Sequence, residues 1–229
     1  MSYRDRTLLR LHIEAVWGIQ LPPIIHDDIE VLSEGVQPPW KLLVAEVANS
    51  RVHIWRADVT TNERKAVLKC ANEALVLSAT EPTAPGISRE IALHLAAQSS
   101  LDIARAQQIA RPLTSDDRSL IEAFQGDPEE YFLEIEKQPV IGVIIDGRLV
   151  SVAHSSRRTL ESCELGIDTL PEARRRGYAL VATVTWTSMI QQEGLIPLYS
   201  AFVDNKASLA LAAAAGYRAF AYVATVEDL

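Results

Sequence analysis

The dipeptide Asp146-Gly147, set between two apolar runs, constrains the fold more than any other feature of the sequence. Val140 to Ile145 and Leu149 to His154 both read as strands, and two residues between them leave room only for a tight hairpin. A type I′ turn needs φ > 0 at both central positions, which Asp-Gly accepts. The pattern then continues in a fixed order. A third strand is predicted from Cys163 to Thr169, after a polar loop from Ser155 to Glu161. Pro171 to Gly177 reads as a loop, and Tyr178 to Glu193 as a helix stopped by Gly194, a suitable C′ residue. A fourth strand runs from Pro197 to Val203, an alanine-rich helix from Asn205 to Ala215 stops at Gly216, and a last strand runs from Tyr217 to Thr225. The order is β-hairpin, β, α, β, α, β.

Upstream the signals are shorter. Leu8 to Ile19 fits a strand or a short helix, and its periodicity does not choose between them. Lys41 to Val47 and Arg51 to Asp58 read as strands joined by Ala48-Asn49-Ser50, with Val52 and Ile54 on one face and His53 and Trp55 on the other. Thr61 to Leu77 reads as a helix with Ala66, Val67, Cys70, Ala74 and Leu77 apolar. Thr80 to Gly86 is a loop and Ser88 to Ile109 a long, mostly helical segment. Thr114 to Asp117 looks like a helix N-cap region for the run to Phe124, and Pro128 to Ile135 like a short helix with proline in its first turn.

The chain of 229 residues suits one large domain or two small ones. We expect an N-terminal α/β lobe over residues 1–105 and a second domain over 106–229. Hydrophobic residues at 48% against 23% charged exclude a disordered chain. The two cysteines, Cys70 and Cys163, exclude a disulfide framework. A formal net charge of −8 lacks the basic footprint of a nucleic-acid binder. With neither a long apolar run nor a signal-peptide pattern, the expectation is a cytoplasmic protein without membrane contact. His12-Ile13-Glu14 and His26-Asp27-Asp28 lack metal-ligand spacing, so no metal is expected.

The chemistry sits between Glu164 and Tyr217. Arg174-Arg175-Arg176-Gly177-Tyr178-Ala179 lies between a strand and a helix. The first turn of a helix carries unsatisfied N–H groups and a partial positive charge, which bind phosphates, and glycine lets the backbone approach. A solvated basic loop is the plain alternative. Asn205-Lys206-Ala207-Ser208 opens the next helix, where simple N-capping is the plain alternative.

Taken together these spacings resemble the GNAT superfamily of acyl-CoA-dependent N-acyltransferases. The family's cofactor loop, Gln/Arg-x-x-Gly-x-Gly/Ala, follows a strand ending in an aliphatic residue or Thr, x, Pro. This chain has Thr169-Leu170-Pro171, then Arg174, Gly177 and Ala179. The family's later Asn-x-x-Ala/Ser-x-x-Leu and Gly-Phe/Tyr are matched by Asn205, Ser208, Leu211, Gly216 and Tyr217. The likeness covers roughly the second half, from Arg111 on.

The resemblance implies an α/β fold with a mixed, mostly antiparallel sheet whose central strands splay apart. Acetyl-CoA would lie in the gap, its pantetheine on the backbone of Gly166, Ile167, Asp168 and Thr169. Its pyrophosphate would lie on the N–H groups of Arg174, Arg175, Arg176, Gly177, Tyr178 and Ala179. Asn205 and Ser208 match further contact positions. The implied reaction is direct attack of a neutral amine on the thioester, with a base to take its proton and an acid for the leaving thiolate. Glu164 is the candidate base, with a solvent-facing strand-edge carboxylate as the alternative. His154 is a second, weaker candidate, more simply read as a hairpin-end surface histidine. Many members carry a tyrosine as the acid just after the helix leucine; here that position is Ala212, and Tyr217 falls on an aromatic core position. Trp17, Trp40 and Trp55 read as core aromatics. A nucleophilic Cys163 would need a base partner and an acyl-enzyme step.

The expected acceptor is an amine, a small molecule more readily than a protein, because the N-terminal half can enclose a pocket. It reads either as a degenerate copy of the same fold or as an unrelated lid. The family often forms dimers, so a homodimer is an expectation of the same kind. The rival readings are a noncatalytic acyl-CoA-binding or regulatory protein, which the missing tyrosine supports, and an interaction protein whose arginine loop binds another anion.

Overall fold

The computed structural model describes residues 3–125, 134 and 137–227. Apart from Glu134, the helix expected from Pro128 to Ile135 lies outside the described residues. The chain forms two compact units, one of Met1–His94, Ser200–Leu209 and Ala219–Leu229, the other of Leu95–Tyr199 and Ala210–Arg218. The fold is α/β with mostly antiparallel strands, as expected. No helix among the described residues is long and apolar enough to cross a membrane.

In the first unit, α1 (Tyr3–Trp17) precedes β1 (Asp28–Glu30), β2 (Trp40–Val47), β3 (Ser50–Trp55), α2 (Thr61–Val76) and β4 (Ile87–Leu95), and most of β10 (Tyr217–Glu227) returns to it. Leu8 to Ile19, ambiguous in sequence, thus falls mainly in a helix. The β2–β3 hairpin turns at Ala48 and Asn49, whose φ angles are 45° and 66°. The strand order is β1-β3-β2-β10-β4. Strand β2 is buried on both faces. Trp40, Leu43 and Ala45 pack with Leu9 and Ile13 of α1, while Leu42 and Val44 pack with Val67 and Ala71 of α2. Trp17 meets Trp40 edge-on.

The second unit holds α3 (Ile103–Ile109), β5 (Ala110–Pro112), α4 (Arg118–Gln125), β6 (Ile141–Ile145), β7 (Arg148–Arg158), β8 (Ser162–Thr169), α5 (Tyr178–Gln192) and the start of β9 (Ile196–Phe202). Helix α6 (Lys206–Ala214) begins in the first unit and ends in the second. The strand order here is β9-β8-β7-β6-β5, antiparallel except for β8 with β9. The Asp146-Gly147 turn has φ angles of 50° and 75°, as a type I′ hairpin requires. Ile121 of α4 packs on Val152 and Leu149 of β7. On the opposite face lies α5, nearly buried all round, with the Trp186 indole donating to Ser155 Oγ at 3.3 Å.

Two expectations fail. Ser88 to Ile109 is not mostly helical. Its first part is β4, and helix begins only at Ile103, where Asp102 accepts from the Arg105 N–H. Between them the N–H groups of Ala96 and Ala97 both donate to Gly216 O, which takes them out of any helix ladder. Pairing across the chain overrides the good helix formers of Glu90 to Ala97. The polar loop expected from Ser155 to Glu161 is shorter, because β7 runs on to Arg158 through a bulge between Ser155 and Arg157.

Candidate functional site

The loop from β8 to α5 is built by its own backbone. Leu170 N–H donates to Val150 O, and a 3₁₀ turn at Pro171–Ala173 buries Ala173. The Arg174 guanidinium turns back to donate to Thr169 O at 3.3 Å, tying the loop to the end of β8. Arg175 then adopts φ 60° and Gly177 φ 83°, and α5 starts at Tyr178. A Cβ on Gly177 would meet nothing within 4 Å, so in the chain itself the positive φ, not crowding, calls for glycine. Arg174, Arg175 and Arg176 are exposed. The two left-handed residues turn the chain into the start of a 15-residue helix whose first N–H groups and dipole favour an anion.

Immediately before this loop the sheet comes apart. Parallel strands β8 and β9 are paired at Ser162–Ile196, Cys163–Pro197 and Glu164–Leu198, and the described pairing stops there. Strand β8 continues to Thr169 and stays paired with β7 throughout. Along an antiparallel pair alternate residues aim their N–H and C=O groups at the partner and the rest aim away. Beyond Glu164 the far edge of β8, over Gly166 to Thr169, is therefore the edge from which an extended ligand can take main-chain hydrogen bonds. Pro197, with no N–H to give, sits one pair before the parting.

Glu164 stands at the last pair and is 4% exposed, which removes the solvent-facing alternative. Side chains alternate along a strand, so Glu164, Gly166 and Asp168 share one face and Ile167 and Thr169 the other. Thr169 Oγ1 and Ser151 Oγ lie 2.7 Å apart, tying that end of β8 to β7. His154, paired with Gly166, is only 2% exposed and not the surface residue its hairpin suggested. Its Nε2 lies 3.8 Å from Asp168 Oδ2. The sequence signal for this arrangement is the mid-strand glycine at 166, which marks a close approach.

Ala212, at the position where many relatives have tyrosine, is fully buried. The Tyr217 hydroxyl is buried against Thr187 Oγ1 at 2.8 Å, and burial pushes its ionisation far above the ordinary range. It is a core residue. Burial likewise pushes the Cys163 thiol up to about 11, and its Sγ–H donates to Arg157 O. That is the state of a structural cysteine, not a nucleophile. Asn205 accepts from the Ser208 N–H at 3.0 Å and so caps α6. His12 meets Phe220 edge-on, while His53 Nδ1 lies 3.2 Å from Asp28 Oδ1, which also accepts from the Trp55 indole. No group of three metal-ligating side chains occurs among the described residues.

The model of the GNAT acetyltransferase family matches residues 35–224. A GNAT-family acetyltransferase from Colwellia psychrerythraea is similar in fold over 100% of this chain and 98% of its own, at 16% identity and a TM-score of 0.53. A putative GNAT-family acetyltransferase from Novosphingobium aromaticivorans aligns over 65% of this chain and 72% of its own, with 23% identity and a TM-score of 0.48. A GCN5-related N-acetyltransferase-like protein from Streptococcus suis aligns over 62% and 63%, with 18% identity and a TM-score of 0.48. No curated protein sequence matches the chain.

Proposed function

Because the chain belongs to the GNAT acetyltransferase family, we propose that it is an N-acetyltransferase, transferring the acetyl group of acetyl-CoA to an amine by direct attack. The observation that carries this reading is the parting of β8 from β9 after Glu164–Leu198, directly before a left-handed turn into α5. One end offers free strand edge to an amide-bearing arm; the other offers a helix N-terminus and three exposed arginines to phosphates. In this reading Gly166 to Thr169 hold the pantetheine and Arg174 to Ala179 the pyrophosphate. Asn205 and Ser208 are retained as further contacts on the strength of the motif. Glu164 is the base that takes the proton of the attacking amine. The acceptor is a small-molecule amine met in the cytoplasm.

A noncatalytic acyl-CoA-binding protein is the second reading, favoured by Ala212 where an acid would stand. Calorimetric titration with acetyl-CoA and with free coenzyme A, on the wild type and on an Arg176→Ala/Gly177→Asp variant, tests the site. Micromolar binding lost in the variant supports it, and no binding by folded wild-type protein overturns it. Thiol release from acetyl-CoA over a panel of polyamines, amino acids and aminoglycosides then separates transfer from binding alone.

A further inference from the structure

We propose that Glu164, His154 and Asp168 form a proton relay along one face of β8, leading from the buried parting of the strands to solvent. The inference rests on the acetyl-transfer reading and extends it. The three groups are arranged by strand geometry. His154 lies directly opposite Gly166, so Glu164 and Asp168, two residues to either side, are its diagonal neighbours across the β7–β8 pair. Diagonal neighbours sit about 7–8 Å apart at the backbone, within reach of long side chains. Gly166 has no side chain to stand between them, and the His154 ring fills that space.

The exposures run in order. Glu164 and His154 are almost wholly buried, whereas the Asp168 side chain is 56% exposed. His154 Nε2 and Asp168 Oδ2 are already 3.8 Å apart. An amine that attacks a thioester must shed one proton for each turnover, and a base buried as deeply as Glu164 must pass it on before it can act again. In the relay Glu164 takes the proton from the amine nitrogen, the imidazole takes it from Glu164, and the Asp168 carboxylate takes it from the imidazole and gives it to water. One proton moves from amine to solvent; both carboxylates return to their starting states, and the imidazole, protonated at one nitrogen and deprotonated at the other, must reset its tautomer before the next turnover. Among the described residues, other charged or titratable groups stand around this row: Arg157 and Arg158 on β7, Glu193, which pairs with Arg158, Lys137, which donates to Ser156 O, and the Cys163 thiol and Tyr217 hydroxyl, both close enough to feel the Glu164 charge. His154 acts here through Glu164 and is a positioning and relay residue.

Two measurements test the relay. The first needs no turnover: the titration of the His154 ring is followed by NMR in the wild type, Glu164→Gln and Asp168→Asn. A relay predicts that each substitution shifts it. A ring that responds to Asp168→Asn alone overturns the relay and leaves only a His154–Asp168 pair. The second measures kcat against pH with whichever amine of the panel is acetylated. His154→Gln and Asp168→Asn are expected to lower kcat, the former by about 100-fold. For His154→Gln, KM for the amine and acetyl-CoA affinity are expected to stay within a factor of two, and the pH profile to change shape. An unchanged kcat and profile in His154→Gln overturns the relay while the transfer reading stands. A wild type that binds acetyl-CoA but acetylates no amine overturns the transfer reading, and the relay with it.

Discussion

The imidazole of His154 occupies the space a side chain on Gly166 would need: a Cβ built there falls 2.4 Å from both Cε1 and Nε2 of the ring. Because His154 is buried, the ring has little room to retreat. Gly166→Ala is therefore expected to destabilise the fold by about 1–3 kcal/mol, the usual cost of overpacking, although alanine suits a strand better than glycine. The double variant Gly166→Ala/His154→Ala removes the clash and is expected to regain part of that loss. Chemical denaturation of the four proteins of this cycle measures the coupling, and additive effects would show that the two residues do not touch.

Tyr217 provides a test of which hydroxyls matter to catalysis. Its hydroxyl is buried with Thr187 Oγ1, and its high ionisation range leaves it no reason to exchange a proton near neutrality. Tyr217→Phe strands the Thr187 hydroxyl in the core and is expected to cost about 1–3 kcal/mol, with Tyr217→Phe/Thr187→Val closer to the wild type. The rate of acetyl transfer is expected to stay unchanged in both. A fall in kcat of tenfold or more in Tyr217→Phe would make Tyr217 the missing acid.

How much of this could be read from the chain alone depends on where each element's partners lie. The Asp146-Gly147 hairpin, the glycine stops at Gly194 and Gly216 and the loop at Arg174 to Ala179 are set by local backbone demands, and the structure has positive φ at each of those glycines and at Gly177. Ser88 to Leu95 reads locally as helix because its residues are good helix formers, and only pairing with distant strands makes them β4. His154 reads as a hairpin-end surface residue for a related reason. Its burial comes from the absence of a side chain at Gly166, one strand away, and no local pattern in Leu149 to His154 encodes that. The parting of β8 and β9 has no residue signature beyond Pro197; it entered only through the resemblance to a family.

Cys163 and Cys70 should separate cleanly by reactivity. Cys163 is fully buried and its thiol is pushed up to about 11, so at pH 7.5 roughly one molecule in a few thousand carries the thiolate that reacts. Cys70 on α2 is part-exposed. Iodoacetamide treatment of the folded protein followed by peptide mass spectrometry is expected to modify Cys70 and spare Cys163. Rapid labelling of Cys163 under native conditions would show that the core around β8 opens readily.

Acid sensitivity is expected at the entry to α4. Asp117 accepts two hydrogen bonds from Arg111, at 2.6 and 2.7 Å, and a third from the Thr114 N–H at 3.0 Å. The Arg111 guanidinium, with the Thr114 bonds, holds this carboxyl below its ordinary 3.8 in spite of its burial. A carboxyl with a depressed folded value contributes stability that is complete above the unfolded value. That contribution is lost as pH falls through the folded one. The contribution of Asp117 is therefore expected to hold from neutrality down to about pH 4 and to drain away below it. Asp117→Asn removes the charge and weakens the cap, with an expected loss of about 1–2 kcal/mol at pH 7. Unfolding free energies measured from pH 7 to pH 2.5 should show the two proteins converging as the pH falls. A gap that stays constant down to pH 2.5 would mean that the ion pair with Arg111 contributes nothing and that Asp117 acts only through its shape.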